Sequence, residues 1–319
     1  MVSDSVEKPT SEARPRYAPR KAKSYDTDKL HQYVVPDLSM QDLLSAIPTQ
    51  CFRRSTLHSS MYVMIDFAQA AVLFYAASWI DPLTQDMHWS FLSMSEESTR
   101  SALRFILWGL YSFCQGLVFT GIWVLAHECG HQAFSPSKFI NNTVGWFLHS
   151  ALLVPYHSWR ISHARHHAAT GHMTRDEVFV PSTREERGLL PLRPVTDDSP
   201  VVTDKTTWSE WLAELLEDAP LYNLLELIIQ QLFGWQLYLL FNVSGQKHYP
   251  RYTNHFMPNS VIFDKRHRNQ IIMSNVGILL TLTVLWTWGR HASNGWFDVM
   301  RYYGCLLYTS PSPRDVEES

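Results

Sequence analysis

Hydrophobic and polar positions segregate along the chain into four apolar runs. Met61 to Ile80 carries one charge, Asp66, and is followed by Asp81-Pro82, while Phe105 to Ala126 carries none. Leu221 to Val243 contains Glu226, Gln230, Gln231 and Gln236, and Ile271 to Trp288 is uncharged but shorter. Each approaches the roughly 20 residues that a helix needs to span a bilayer. Trp79, Trp89, Trp123, Trp235, Trp286 and Trp288 stand at or near the run ends, as aromatic belts do at membrane interfaces. The pattern predicts an all-α, polytopic membrane protein with about four transmembrane helices. Buried core helices of a soluble protein are the alternative, and they leave the tryptophans unexplained.

Ahead of the first run, Met40, Leu43, Leu44 and Ile47 recur at i, i+3, i+4 and i+7 behind Ser39, a natural N-cap. This predicts a short amphipathic helix, either lying on the membrane or packing on the rest of the protein. Residues 1–35 are polar and basic, lack the apolar centre of a signal peptide, and read as a disordered cytosolic arm. Pairing the runs as two hairpins puts this arm, with Arg53 and Arg54, and the long stretch from His127 to Pro220 in the cytosol. The same pairing puts Lys247, Arg251, Lys265, Arg266 and Arg268 on the lumenal side, against the usual distribution of positive charge.

Overall, 45% of residues are apolar, and 27 basic residues face 30 acidic ones for a net charge of −3. That balance has none of the basic field of a nucleic-acid-binding protein, so no nucleic-acid partner is expected. Cys51, Cys114, Cys129 and Cys305 are scattered singly, which excludes a disulfide scaffold or zinc ribbon and suits a reducing compartment.

Of 15 histidines, eight fall between positions 127 and 172, where even spreading would put about two; such clustering signals a metal. His127-Glu128-Cys129-Gly130-His131 places two imidazoles at i and i+4, and His163-Ala164-Arg165-His166-His167 places three at i, i+3 and i+4. On a helix each set shares one face. The first set alone is also the H-E-x-x-H of zinc proteases, with Glu as general base. A catalytic zinc takes three protein ligands, so five imidazoles suit two metals better. A site beginning where a spanning helix leaves the bilayer lies within reach of an acyl chain. Breaking an unactivated C–H bond there needs oxygen and a redox metal, which favours iron.

These residues resemble the membrane fatty acid desaturases, specifically the microsomal Δ12 (oleate) desaturases of fungi and plants. The matching stretches are HECGHQAFS from His127, TVGWFLHSALLVPYHSWRISHARHHAATGHMTRDEVFVP from Thr143, and the weaker NVSGQKHYPRYTNHF from Asn242. The resemblance runs from about Val35 to Gly304, so residues 36–304 are expected to form a desaturase domain. It implies four spans in the endoplasmic reticulum membrane and a cytosolic histidine-box cap holding two iron ions. It also implies molecular oxygen as oxidant and electrons from cytochrome b5 and its NADH-dependent reductase. Carried over, the iron ligands are His127, His131, His163, His166 and His167. Glu128, Asp176 and Glu177 are candidates to orient them by accepting the second ring N–H, and His149, His157 and His172 are as well explained by surface or capping duty.

The implied activity is insertion of a cis double bond into lipid-bound oleoyl chains. Δ15 (ω-3) and bifunctional desaturation are the near alternatives and a zinc membrane protease the distant one. Glu128 resembles the Δ12 enzymes, where plant ω-3 enzymes more often have Asp. Two features depart from the family pattern. No histidine follows His291, whereas the family has a third H-x-x-H-H box, and residues 305–319 are an aberrant Ser/Pro-rich tail. On these grounds the chain is expected to be a truncated or frame-shifted product with little activity of its own.

Overall fold

The computed structural model describes residues 39–88, 95–183 and 219–304, and every regular element among them is helical. The arm expected over 1–35 and the tail over 305–319 lie outside the described residues, as does Trp89. The chain divides into two compact units, Met1–Arg53 and Arg54–Ser319.

In the first unit, helix α1 (Met40–Ala46) starts where the sequence places it. The Ser39 hydroxyl accepts from the Asp42 amide at 3.2 Å, and the Asp42 carboxylate accepts the Ser39 amide in return at 2.9 Å, a complete capping box. Its apolar stripe is open, with Met40 70% exposed.

The second unit contains α2 (Thr56–Ser78), α3 (Ile80–Gln85), α4 (Glu96–Gly130), α5 (Lys138–Ala151), α6 (Tyr156–Ala168), α7 (Pro220–Phe241), α8 (Arg268–His291) and α9 (Trp296–Tyr303). Four helical segments, 56–85, 96–130, 220–241 and 265–291, are long and apolar enough to cross a membrane. The helices outrun the apolar runs because polar residues cap them. Ser55 begins α2 by accepting from the His58 amide, and Ser95 begins α4 ahead of Glu96 and Glu97, whose charges suit a helix N-terminus. At 35 residues, α4 is about 52 Å long, so it extends beyond a hydrocarbon layer of about 30 Å and carries the first histidine set in its last turns. Asp81-Pro82 does not end the first hairpin arm; the helix breaks at Trp79 and resumes as α3, with the proline in the first turn.

Helices α2 and α4 run antiparallel. Thr56 at the start of α2 is hydrogen-bonded to Ser135 just beyond α4, while Asp81 beyond the end of α2 meets Arg104 and Trp108 in the first half of α4. The bundle therefore has a histidine end and an opposite end. At the opposite end Arg301 of α9 pairs with Asp81 and Asp298 and lies 4.5 Å over the Trp108 ring. Helix α5 packs along α4 and α6 returns beside it. Trp146 and Ser150 of α5, together with His157 of α6, hydrogen-bond to Met273, Thr281 and Ser274 of α8.

One expectation is corrected. The segment between α7 and α8 does not sit opposite the histidines. The Val180 amide donates to the Ser244 carbonyl at 2.8 Å, Gln246 donates to the Asp176 carbonyl at 2.7 Å, and Arg165 of the second histidine set binds the Ile262 carbonyl and Asp264. Residues 242–267 and their cations therefore share the histidine end, which removes the conflict with the positive-charge rule.

Candidate metal centre

The first histidine set closes α4. His127 lies in its last turn, His131 is the C-cap, and the chain turns away at Gln132, whose φ is 63°. The unsatisfied carbonyls at a helix C-terminus carry partial negative charge, which favours a cation there. The second set lies on α6, whose Trp159, His163 and His167 meet His127 and His131 of α4.

Gly130 and Gly145 permit this approach. A Cβ on Gly130 would come within 2.8 Å of the Trp159 ring, and one on Gly145 within 2.3 Å of the Tyr156 ring and 2.8 Å of the Cys129 Cβ. Beneath the histidines lies an aromatic floor. The Trp159 ring stacks on His163 at 4.5 Å and contacts Trp123 at 5.5 Å, and Trp123 meets Trp235 of α7 at 6.0 Å. These rings are at most 6% exposed, so water is excluded from that side.

His127, His131, His163 and His167 each contribute one ring nitrogen to a group in which all four lie within 4.8 Å of one another. The Nε2 atoms are 2.9 Å apart for His127 and His131, 3.1 Å for His131 and His163, and 3.0 Å for His163 and His167. Nitrogens about 2.1 Å from a shared octahedral metal lie about 3 Å from each other, so the spacing fits a metal site. The Nδ1 atoms of His127 and His163 are buried without a partner, which leaves the polar demand of these rings to be met at Nε2. His127 and His163 are buried while His131 and His167 are exposed, so one half of the cluster is dry and the other open.

Burial first, and then the neighbouring imidazoles, push His163 far below the usual histidine range, and the same causes lower His131 and His167. All three are neutral at physiological pH, the form in which imidazole binds a metal.

His166 stands outside that group of four. It is 1% exposed, and its Nδ1 lies 2.7 Å from Asp176 Oδ1. Burial alone would raise Asp176, but hydrogen bonds from His166 and from the Val178, Gly171 and Phe179 amides hold its carboxyl below the usual range. An ionised carboxylate only accepts, so Nδ1 of His166 donates to it and Nε2 is the ring nitrogen left for a metal. Glu177 turns away from the histidines, accepting from Tyr249 at 3.0 Å and Arg165 at 3.3 Å; burial raises its carboxyl despite both partners. No described residue hydrogen-bonds the Glu128 carboxylate. His149 is fully buried among Trp123, Trp159 and Tyr156, His157 is held through its amide by Ser274, and His172 is exposed beside Thr174.

Sequence reasoning missed the layer that braces α6. His255 is fully buried with Nε2 3.2 Å from the Ser162 hydroxyl, which lies 3.1 Å from the Tyr238 hydroxyl. Arg165, inside the second set, joins Glu177, the Ile262 carbonyl and Asp264. The one available signal was the stretch from Asn242, which contributes His255.

Comparison with known proteins agrees with this geometry. A family model described as fatty acid desaturase matches residues 103–311. The chain is 46% identical over 253 residues to a Δ12 fatty acid desaturase of Mortierella alpina, covering 79% of this chain and 58% of that protein. It is 37% identical over 287 residues to an oleate hydroxylase of Claviceps purpurea, covering 85% and 54%. It is 37% identical over 282 residues to a Δ12 desaturase of Arabidopsis thaliana, covering 88% and 63%. The chain thus spans a little over half the length of these relatives. With a desaturase model matched over most of its helical bundle and two histidine sets meeting at the end of an apolar helix, the chain belongs to the fatty acid desaturase family.

Proposed function

We propose that the protein containing this chain is an oxygen-dependent acyl-lipid desaturase that inserts a cis double bond at Δ12, converting oleoyl to linoleoyl chains. The observation that carries this is the convergence of four imidazoles at the end of an apolar helix, in a fold matched by the desaturase model. His127, His131, His163 and His167, with His166 braced by Asp176, would hold two iron ions. Bound there, iron and molecular oxygen would supply the oxidising power that an unactivated C–H bond requires.

The chain's own residues do the rest. The three neutral histidines keep lone pairs available without a prior deprotonation. Asp176 fixes the tautomer of His166, and Arg165 with Glu177 anchors the segment carrying the second set. The Trp123–Trp159 floor keeps water from the buried half. Electrons would come from cytochrome b5 and its NADH-dependent reductase, approaching from the exposed half. Orientation with the histidine end toward the cytosol is supported by the cations at that end, and the endoplasmic reticulum membrane by similarity to an endoplasmic reticulum omega-6 fatty acid desaturase of Brassica juncea.

The test is expression of the full-length protein in yeast with fatty-acid profiling by gas chromatography and mass spectrometry. A new Δ9,Δ12 diene is expected, and it should be lost in His163→Ala. A Δ15 diene or a hydroxylated chain would reassign the product, and one zinc with no iron in the purified protein would overturn the oxygen chemistry.

A further inference from the structure

We propose that the segment joining α7 to α8 holds a binding site for the phosphate group of a membrane lipid. Three observations converge on it. The first is a cavity of about 340 Å³, a volume in the range of small-ligand sites. Its lining includes Asn242, Gln246, Lys247, Arg251, Tyr252 and Thr253, and no carboxylate among the described residues.

The second is charge. Lys247 and Arg251 are the charged residues of the lining, and the Arg251 guanidinium is held 5.2 Å from the Tyr252 ring centroid. Phosphate oxygens accept hydrogen bonds from cationic side chains of this kind.

The third is location. The cavity lies where the apolar α7 ends at the histidine end of the bundle, beside Phe241, Val243 and Tyr252, which are 48%, 58% and 60% exposed. An apolar rim beneath a cationic pocket is the profile of the headgroup layer, where basic residues meet lipid phosphates. The pocket is also tied to the metal centre, because Gln246 in its wall donates to the carbonyl of Asp176, whose carboxylate holds His166. The inference holds whether or not the bound lipid is the one whose chain is desaturated.

The experiment is native mass spectrometry of the purified chain in detergent, titrated with phosphatidic acid, with diacylglycerol and with inorganic phosphate. One phosphatidic acid is expected to bind, with diacylglycerol at least tenfold weaker. Arg251→Gln, on an exposed side chain that cannot disturb the core, should weaken binding about tenfold. Circular dichroism checks that the variant keeps its helices. Equal binding of diacylglycerol, or unchanged binding by Arg251→Gln, overturns the site. Inorganic phosphate binding as tightly as phosphatidic acid overturns the lipid assignment.

Discussion

Asp176 is the residue through which the candidate metal centre is most sensitively read. Its carboxylate holds Nδ1 of the fully enclosed His166 and three backbone amides at once. Asp176→Asn keeps the size but replaces an anion that orients the ring with a neutral amide. Loss of such a partner typically costs 10- to 100-fold in metal affinity. Iron(II) affinity measured by chelator competition should fall by that factor with the helix content unchanged; an unchanged affinity would show that His166 takes no part in binding. His255 gives a second handle, in pH. Burial lowers it to about 4 from an ordinary 6.5, despite opposing hydrogen bonds at Leu239 and Tyr238. Between those values the unfolded chain takes up a proton that the folded chain refuses, so its contribution to stability is complete above about pH 6.5 and drains as the pH falls toward 4. His255 meets Ser162, Tyr238 and Phe263, none of which carries charge in that range. The denaturation midpoint in detergent should therefore fall on acidification, and less steeply in His255→Phe.

At the scale of elements, the two histidine sets meet because α4, α5 and α6 approach to within a side chain's width. Gly145 is the point of closest packing, with Tyr156 on one side and Cys129 on the other. Gly145→Ala must move the Tyr156 ring or separate α5 from α6, and overpacking of this kind costs typically 1–3 kcal/mol. A lowered thermal midpoint together with weakened iron binding is expected, because α6 carries three of the five candidate ligands. If only stability fell, the positions of the sets would be independent of α5. Helix formation itself was legible beforehand, since the apolar runs and Ser39 predicted where α1, α2, α4, α7 and α8 lie. Their lengths were not, because polar caps such as Ser55 and Ser95 extend a helix without adding hydrophobicity.

At the scale of the whole molecule, sidedness follows from hydrogen bonds rather than from counting runs. The chain is at the histidine end at Val180 and again at Ser244, where the two are joined by a hydrogen bond. Single cysteines at His58, His172, Lys247 and Arg266 should react with a membrane-impermeant thiol reagent from one face of sealed vesicles, and cysteines at Asp86 and Asn294 from the other. Labelling of Lys247→Cys and His172→Cys from different faces would contradict the bundle. Local chemistry along the chain determined that it is helical, that it meets a membrane and that it offers imidazoles at i, i+3 and i+4, because these are properties of neighbours within a few residues. Which four imidazoles converge, that Asp176 and not Glu177 serves a histidine, and that the basic segment lies beside the histidine cluster were decided by the tertiary structure. Each depends on contacts between residues 10 to 93 positions apart, such as His166 with Asp176, His131 with His163, Gln246 with Asp176 and Ser162 with His255. Periodicity carries no information over such separations.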